Sequence, residues 1–149
     1  MPVVVWEPGS ATGPDPVRLA SALTDSMRLV RRLVPADGLS LTSLATLATL
    51  EQFGPTRVGA LAEGEHLTQP AMTQLVSRLQ ARGLVERHPD PGDGRVVLVA
   101  LTDTGRRLVH DRRTARAHAL AERLARLGDA ERAALAAALP ALERLLTDR

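Results

Sequence analysis

Six consecutive residues, Pro89-Asp90-Pro91-Gly92-Asp93-Gly94, are each proline, aspartate or glycine. No helix continues through such a run, because its prolines lack the amide donor and its other residues favour turn conformations. On one side stands Leu84-Val85-Glu86-Arg87-His88 and on the other Arg95-Val96-Val97-Leu98-Val99-Ala100-Leu101, both alternating or β-branched. Strand, tight polar loop and strand together predict a β-hairpin. The rest of the chain must be reconciled with this one short β element, and its period is helical.

From Asp15, apolar residues recur at Ala20, Leu23, Met27, Val30 and Val34, spacings that put them on one side of a helix ended by Pro35 and Gly38. A second helix is predicted over Leu41 to Phe53, with Leu44, Leu47, Ala48 and Leu50 apolar and Gly54-Pro55 as its stop. Thr56 is expected to cap a short helix with Val58, Leu61 and Ala62 inward, closed by Gly64-Glu65-His66. Thr68 is expected to cap a longer one, in which Pro70 is tolerable because first-turn amides have no helical partner. Its inward set is Met72, Leu75, Val76 and Leu79, and Gly83 supplies a left-handed stop. After the hairpin, Thr102 should cap a long helix from about Asp103 to Leu127. Gly128-Asp129 opens a last helix to about Leu146 that carries Leu135, Leu139, Leu142 and Leu146, with a kink expected at Pro140. The fold class is mainly α (α+β).

At 149 residues and 15.9 kDa, the chain has room for one domain. Hydrophobic residues at 44% exclude a wholly disordered chain. The expected organisation is an irregular arm over 1–14 and a single domain over 15–149. The absence of cysteine rules out disulfides, thiolate metal sites and cysteine nucleophiles. The longest apolar stretch, Ala133 to Leu142, is ten residues and contains a proline, too short to span a bilayer. The N-terminus has no basic, apolar signal pattern, so the expectation is a cytoplasmic protein without membrane association. All 19 basic residues are arginine, so the pI of about 10.7 beside a net charge of +2 reports residue choice more than affinity for polyanions.

The section from Thr56 to Leu101 places two short helices around a tight turn, followed by a hairpin with a polar, arginine-bearing loop. Such a unit can lay its second helix in a DNA major groove and its hairpin loop, the wing, on the flanking minor groove. With the apolar set turned in, the helix after Thr68 presents Gln69, Thr73 and Ser77 in one row and Pro70, Gln74 and Arg78 in the next. Glutamine can pair with adenine, arginine with guanine, and threonine or proline can meet a thymine methyl. Taken alone this row also reads as a solvated helix face; beside a wing the groove reading gains. Asp93 and Arg95 at the loop end read either as an oriented arginine for a narrow minor groove or as an ordinary surface pair. Arg57 and Arg87 stand where they could reach phosphates.

Residues 41–128 resemble the MarR family of bacterial transcriptional regulators. The resemblance lies in Val58-Gly59-Ala60-Leu61-Ala62, in Leu67-Thr68-Gln69-Pro70-Ala71-Met72-Thr73-Gln74-Leu75-Val76, and in Leu79-Gln80-Ala81-Arg82-Gly83-Leu84-Val85-Glu86-Arg87. It is most specific in the wing, His88 to Arg95, with its Asp-x-Arg, and in Leu101-Thr102-Asp103-Thr104-Gly105. The resemblance implies a winged helix-turn-helix over 41–101 and dimerisation helices over 15–35 and 102–147. It further implies a homodimer on a palindromic double-stranded DNA operator and a repressor relieved by a small-molecule inducer. In that frame Thr68, Gln69, Pro70, Thr73, Gln74, Ser77 and Arg78 form the recognition helix. Arg95 is the wing-tip arginine, Asp93 orients it, and Arg57 and Arg87 back it on the phosphates. Gly94 departs from the family pattern, which often has a basic residue there. The competing class is a winged-helix protein-interaction module that does not bind DNA.

Other chemistry finds little footing. His66, His88, His110 and His118 form no i, i+4 pair, so no metal and no other cofactor is expected. Hydrolase, zinc-peptidase and phosphate-loop motifs are missing, and the chain is not expected to be an enzyme. Trp6 and Phe53, the two aromatics, are too few for a single-strand stacking platform; Trp6 is expected to pack the arm and Phe53 to join the core. The arginines Arg106, Arg107, Arg112, Arg113 and Arg116 read mostly as a solvated face.

Overall fold

The computed structural model describes residues 15–35, 38–93 and 96–147. The expected arm over 1–14, with Trp6, lies outside them. The chain divides into two units, one ending at Leu33 and the other beginning at Val34.

In the first unit, α1 (Pro16–Arg32) starts where the Asp15 carboxylate accepts from the Val17 amide at 3.0 Å. α1 has no buried residue: of its apolar row Ala20 and Met27 are exposed and Leu23 and Val30 half-buried, and Val17 and Leu19 outside that row are more than half exposed. Among the described residues of its unit, α1 has no second element to bury a face against.

The second unit begins with α2 (Leu41–Phe53), capped by Ser40, whose hydroxyl oxygen accepts from the Ser43 amide at 3.0 Å. Of its apolar residues, Leu47 and Leu50 are buried, Leu44 is half-buried and Ala48 is exposed. Thr46 is fully buried and satisfies its hydroxyl by donating to the Thr42 carbonyl at 2.9 Å. Phe53 is 54% exposed rather than in the core, because it is the last residue of α2 before the Gly54 cap turns the chain away.

Thr56 does not cap the next helix. It forms the two-residue strand β1 (Thr56–Arg57), opposite Val99, and its hydroxyl donates to the Gly54 carbonyl at 2.9 Å. Helix α3 (Val58–Gly64) follows directly, with Arg57 at its cap position and Leu61 and Ala62 buried. His66 turns the chain at a φ of 53°, in the left-handed region that a non-glycine residue adopts only where the surrounding turn holds it. Thr68 then caps α4 (Gln69–Ala81), as the sequence predicts. Gly83 ends this segment at a φ of 68°.

The hairpin comprises β2 (Val85–Pro89) and β3 (Val97–Leu101), antiparallel from Val85 opposite Leu101 to Pro89 opposite Val97. With β1 on the far side of β3, the sheet order is β1-β3-β2. Helix α5 (Asp103–Leu124) ends three residues before the expected Leu127, and α6 (Asp129–Thr147) carries Pro140 within it.

The core lies between α2, α3, α4 and the sheet. Leu47, Leu61, Met72, Val76, Leu79 and Val99 are at most 1% exposed. At about 1.5–3 kcal/mol for each large apolar side chain removed from water, this cluster holds the helices on the sheet. The N-terminus of α5 closes the unit in three ways. Thr102 Oγ1 donates to the Gly83 carbonyl at 2.6 Å, the Thr102 amide donates to the Leu84 carbonyl at 3.1 Å, and Gly105 packs on that same carbonyl.

Candidate nucleic-acid interface

The two sides of α4 differ sharply. Met72, Leu75, Val76 and Leu79 are buried, while Gln69, Pro70, Thr73, Gln74, Ser77 and Arg78 are exposed, so the six form one outward surface, polar except for Pro70, on a helix fixed from behind. A short helix held this way, with no bulky apolar group outward, has the cross-section a major groove admits. Thr68 stands at its N-terminus, and its hydroxyl oxygen accepts from the Ala71 amide at 3.4 Å as the cap.

Two hydroxyls of the outward row are turned back on the helix. Thr73 donates to the Gln69 carbonyl at 2.8 Å, and Ser77 donates to the Thr73 carbonyl at 2.9 Å. Ser77 also accepts from Arg87 Nη2 at 3.1 Å, which ties α4 to β2. At the other end of α4, Arg82 donates to the Gly38 carbonyl at 3.1 Å.

Arg57 lies on β1 and pairs across to Asp90 at 3.2 Å, linking the outer strand to the base of the hairpin loop. Asp90 is not among the residues that the sequence singles out. Its carboxylate also accepts from the Gly92 amide at 2.8 Å, and that bond first, then Arg57, holds its carboxyl below the ordinary aspartate range. The available signal is Asp-Pro-Gly, an aspartate that can bond to the backbone two residues on. The partner arginine, 33 residues away, has no such local signature. Asp93 is exposed, and its carbonyl accepts from the Val96 amide at 2.8 Å. Gly94 and Arg95 lie outside the described residues, and with them the expected Asp93–Arg95 pairing.

Most of the α5 arginines, Arg106, Arg107 and Arg113, are exposed as the sequence suggests, and Arg112 and Arg116 are the exceptions. Arg106 donates to the Leu101 carbonyl and to Asp103, and Arg107 donates to Thr104. Arg112 is buried at 6% exposure and donates to the Pro35 carbonyl at 2.6 Å. Arg116 is half-buried beside it, and burial first, then the neighbouring Arg112 charge, pushes its guanidinium below the usual arginine range. Both border a cavity of about 40 Å³ walled by Leu44, Leu47, Leu108 and Val109. The readable signal is spacing: Gly105, Leu108, Val109, Arg112 and Arg116 fall on one helical stripe.

Among the described residues, no three histidine or acidic side chains come together as a metal site, and no helix is long and apolar enough to cross a membrane.

Comparison with known proteins agrees with this geometry. The MarR family pattern matches residues 39–97. An uncharacterised HTH-type transcriptional regulator of Mycobacterium bovis is 44% identical over 119 residues, covering 77% of this chain and 83% of that protein. A solved putative transcriptional regulator of Pseudomonas aeruginosa superposes with a TM-score of 0.78 at 30% identity, over 90% of this chain and 94% of the other. The BpsR protein of Bordetella bronchiseptica, solved for the regulation of its DNA binding by 6-hydroxynicotinic acid, shares the fold at a TM-score of 0.59 and 23% identity, over 96% of this chain and all of its own. With the Mycobacterium bovis relative 44% identical across most of both sequences and the family pattern matched, the chain belongs to the MarR family and is a DNA-binding transcriptional regulator.

Proposed function

We propose that the protein is a homodimeric repressor that binds a palindromic double-stranded operator in the cytoplasm and is released by a small-molecule ligand. One observation carries the reading: α4 has an exposed outward side that is polar except for Pro70 and a back that is buried. In the major groove, Gln69 and Gln74 offer amides to adenine, Arg78 offers a fork to guanine, and Pro70 and Thr73 offer apolar contact to thymine. Thr68 and Ser77 complete this face. Arg57 and Arg87 stand at its flanks for phosphates, and Arg95, steadied by Asp93, enters the minor groove.

Pairing is supported by apolar surface that the chain leaves outside. Val17, Leu19 and Met27 on α1, and Leu135, Leu139 and Leu145 on α6, are all exposed. A second copy is the simplest cover for such surface and supplies the second recognition helix that a palindrome requires. Two helices must enter grooves about 34–36 Å apart, so a ligand that changes their separation lowers affinity without touching DNA. The ligand-controlled DNA binding of BpsR is in keeping with this.

The test is a gel shift with genomic fragments and unrelated competitor. A discrete, competitor-resistant complex that weakens steeply with salt supports the reading. Failure to bind any fragment at low salt favours a protein-interaction module instead.

A further inference from the structure

Arg87 lies two residues after the buried Val85 on β2, so the strand's alternation sends its side chain toward the same face of the sheet. There its Nη2 meets the Ser77 hydroxyl oxygen at 3.1 Å. A hydroxyl has one hydrogen and two lone pairs. In Ser77 the hydrogen goes to the Thr73 carbonyl at 2.9 Å and one lone pair is taken by Arg87. That leaves little with which to question a base edge. The guanidinium, by contrast, has five N–H groups in a rigid fork and commits one of them here.

We propose that Ser77 is a positioning residue: it fixes the Arg87 guanidinium against the outer edge of α4, where the remaining N–H groups face a phosphate flanking the groove, and it contributes no base discrimination of its own. This rests on the proposal that α4 enters duplex DNA, and it divides the exposed row into readers and an anchor. Gln69, Gln74 and Arg78 keep outward groups able to distinguish bases, whereas Ser77 acts through an arginine that touches only the backbone. Arg87 gains from being held, since ordering a long side chain in advance removes an entropy cost from the binding step.

The experiment measures affinity of the full-length protein for its operator and for random duplex across a salt series, comparing wild type, Ser77→Ala, Ser77→Thr, Arg87→Ala and the Ser77→Ala/Arg87→Ala double variant. Arg87→Ala should lower the salt slope by about 0.9 for each phosphate that the arginine no longer neutralises. Ser77→Ala should weaken both duplexes by the same factor, roughly 3- to 10-fold, with the ranking of operator variants unchanged. Ser77→Thr, which keeps the hydroxyl, should restore affinity, and Ser77→Ala should add nothing once Arg87 is gone. A changed base preference in Ser77→Ala, or an equal loss in the Arg87→Ala background, would overturn the assignment while leaving the DNA-binding reading intact. Wild-type protein that binds no duplex would remove the functional reading and this inference with it.

Discussion

Gly105 has the least freedom of any glycine in the described chain. A Cβ built there would stand 2.0 Å from the Leu84 carbonyl oxygen, which belongs to backbone and is held by the Thr102 amide. Gly105→Ala should therefore destabilise the protein by about 3 kcal/mol, read as a shift in the urea midpoint; unchanged stability would mean that α5 does not seat on the Leu84 carbonyl. Asp90 makes a prediction of a different kind. The Gly92 amide and the Arg57 guanidinium hold its folded carboxyl below the ordinary aspartate range, so its contribution is present above the unfolded-state pKa and is lost as the pH falls through the folded one. An NMR titration should place the Asp90 midpoint below that of an unperturbed aspartate, and Arg57→Ala should move it upward. Single residues are legible where the signal is local. Thr68, Gly83 and Thr102 take their roles as caps and stops from neighbours alone, and all three act so. Asp90 with Arg57, and Arg112 with Pro35, join positions 33 and 77 residues apart, which no local pattern encodes.

At the level of elements, period is the strongest guide. The bounds Leu41–Phe53 and the alternation across the hairpin are readable because a helix or strand with one buried side repeats that fact along its length. Strand β1 escapes such reading because two residues carry no period, and Thr56 just before an apolar run looks like a cap. The two sides of α4 lead to a paired prediction. Met72→Ala, on the buried side, should cost about 2–5 kcal/mol of stability. Gln74→Ala, on the exposed side, should leave stability within about 0.5 kcal/mol and alter base preference at one operator position. Stability measured by chemical denaturation and preference measured on an operator panel separate the two; a Gln74→Ala variant that loses operator and random DNA equally would contradict the base-reading face.

For the whole molecule, the sequence conveys the class of fold and the family. The surfaces of the terminal helices can be interpreted only with coordinates, since an apolar stripe looks alike whether it meets its own chain or another. On α1 and α6 it stays exposed. If a second copy covers α6, Leu139→Glu should shift the sedimentation mass from dimer to monomer and abolish stable operator binding while α4 stays folded. A dimer unaffected by that charge would place the interface elsewhere. The most direct test of a paired, groove-reading α4 is selection of bound duplexes from a random pool by the full-length protein. The predicted result is an inverted repeat whose half-sites lie about one helical turn apart, roughly 34–36 Å centre to centre. Recovery of a single unrepeated site, or of no enriched sequence, would contradict it.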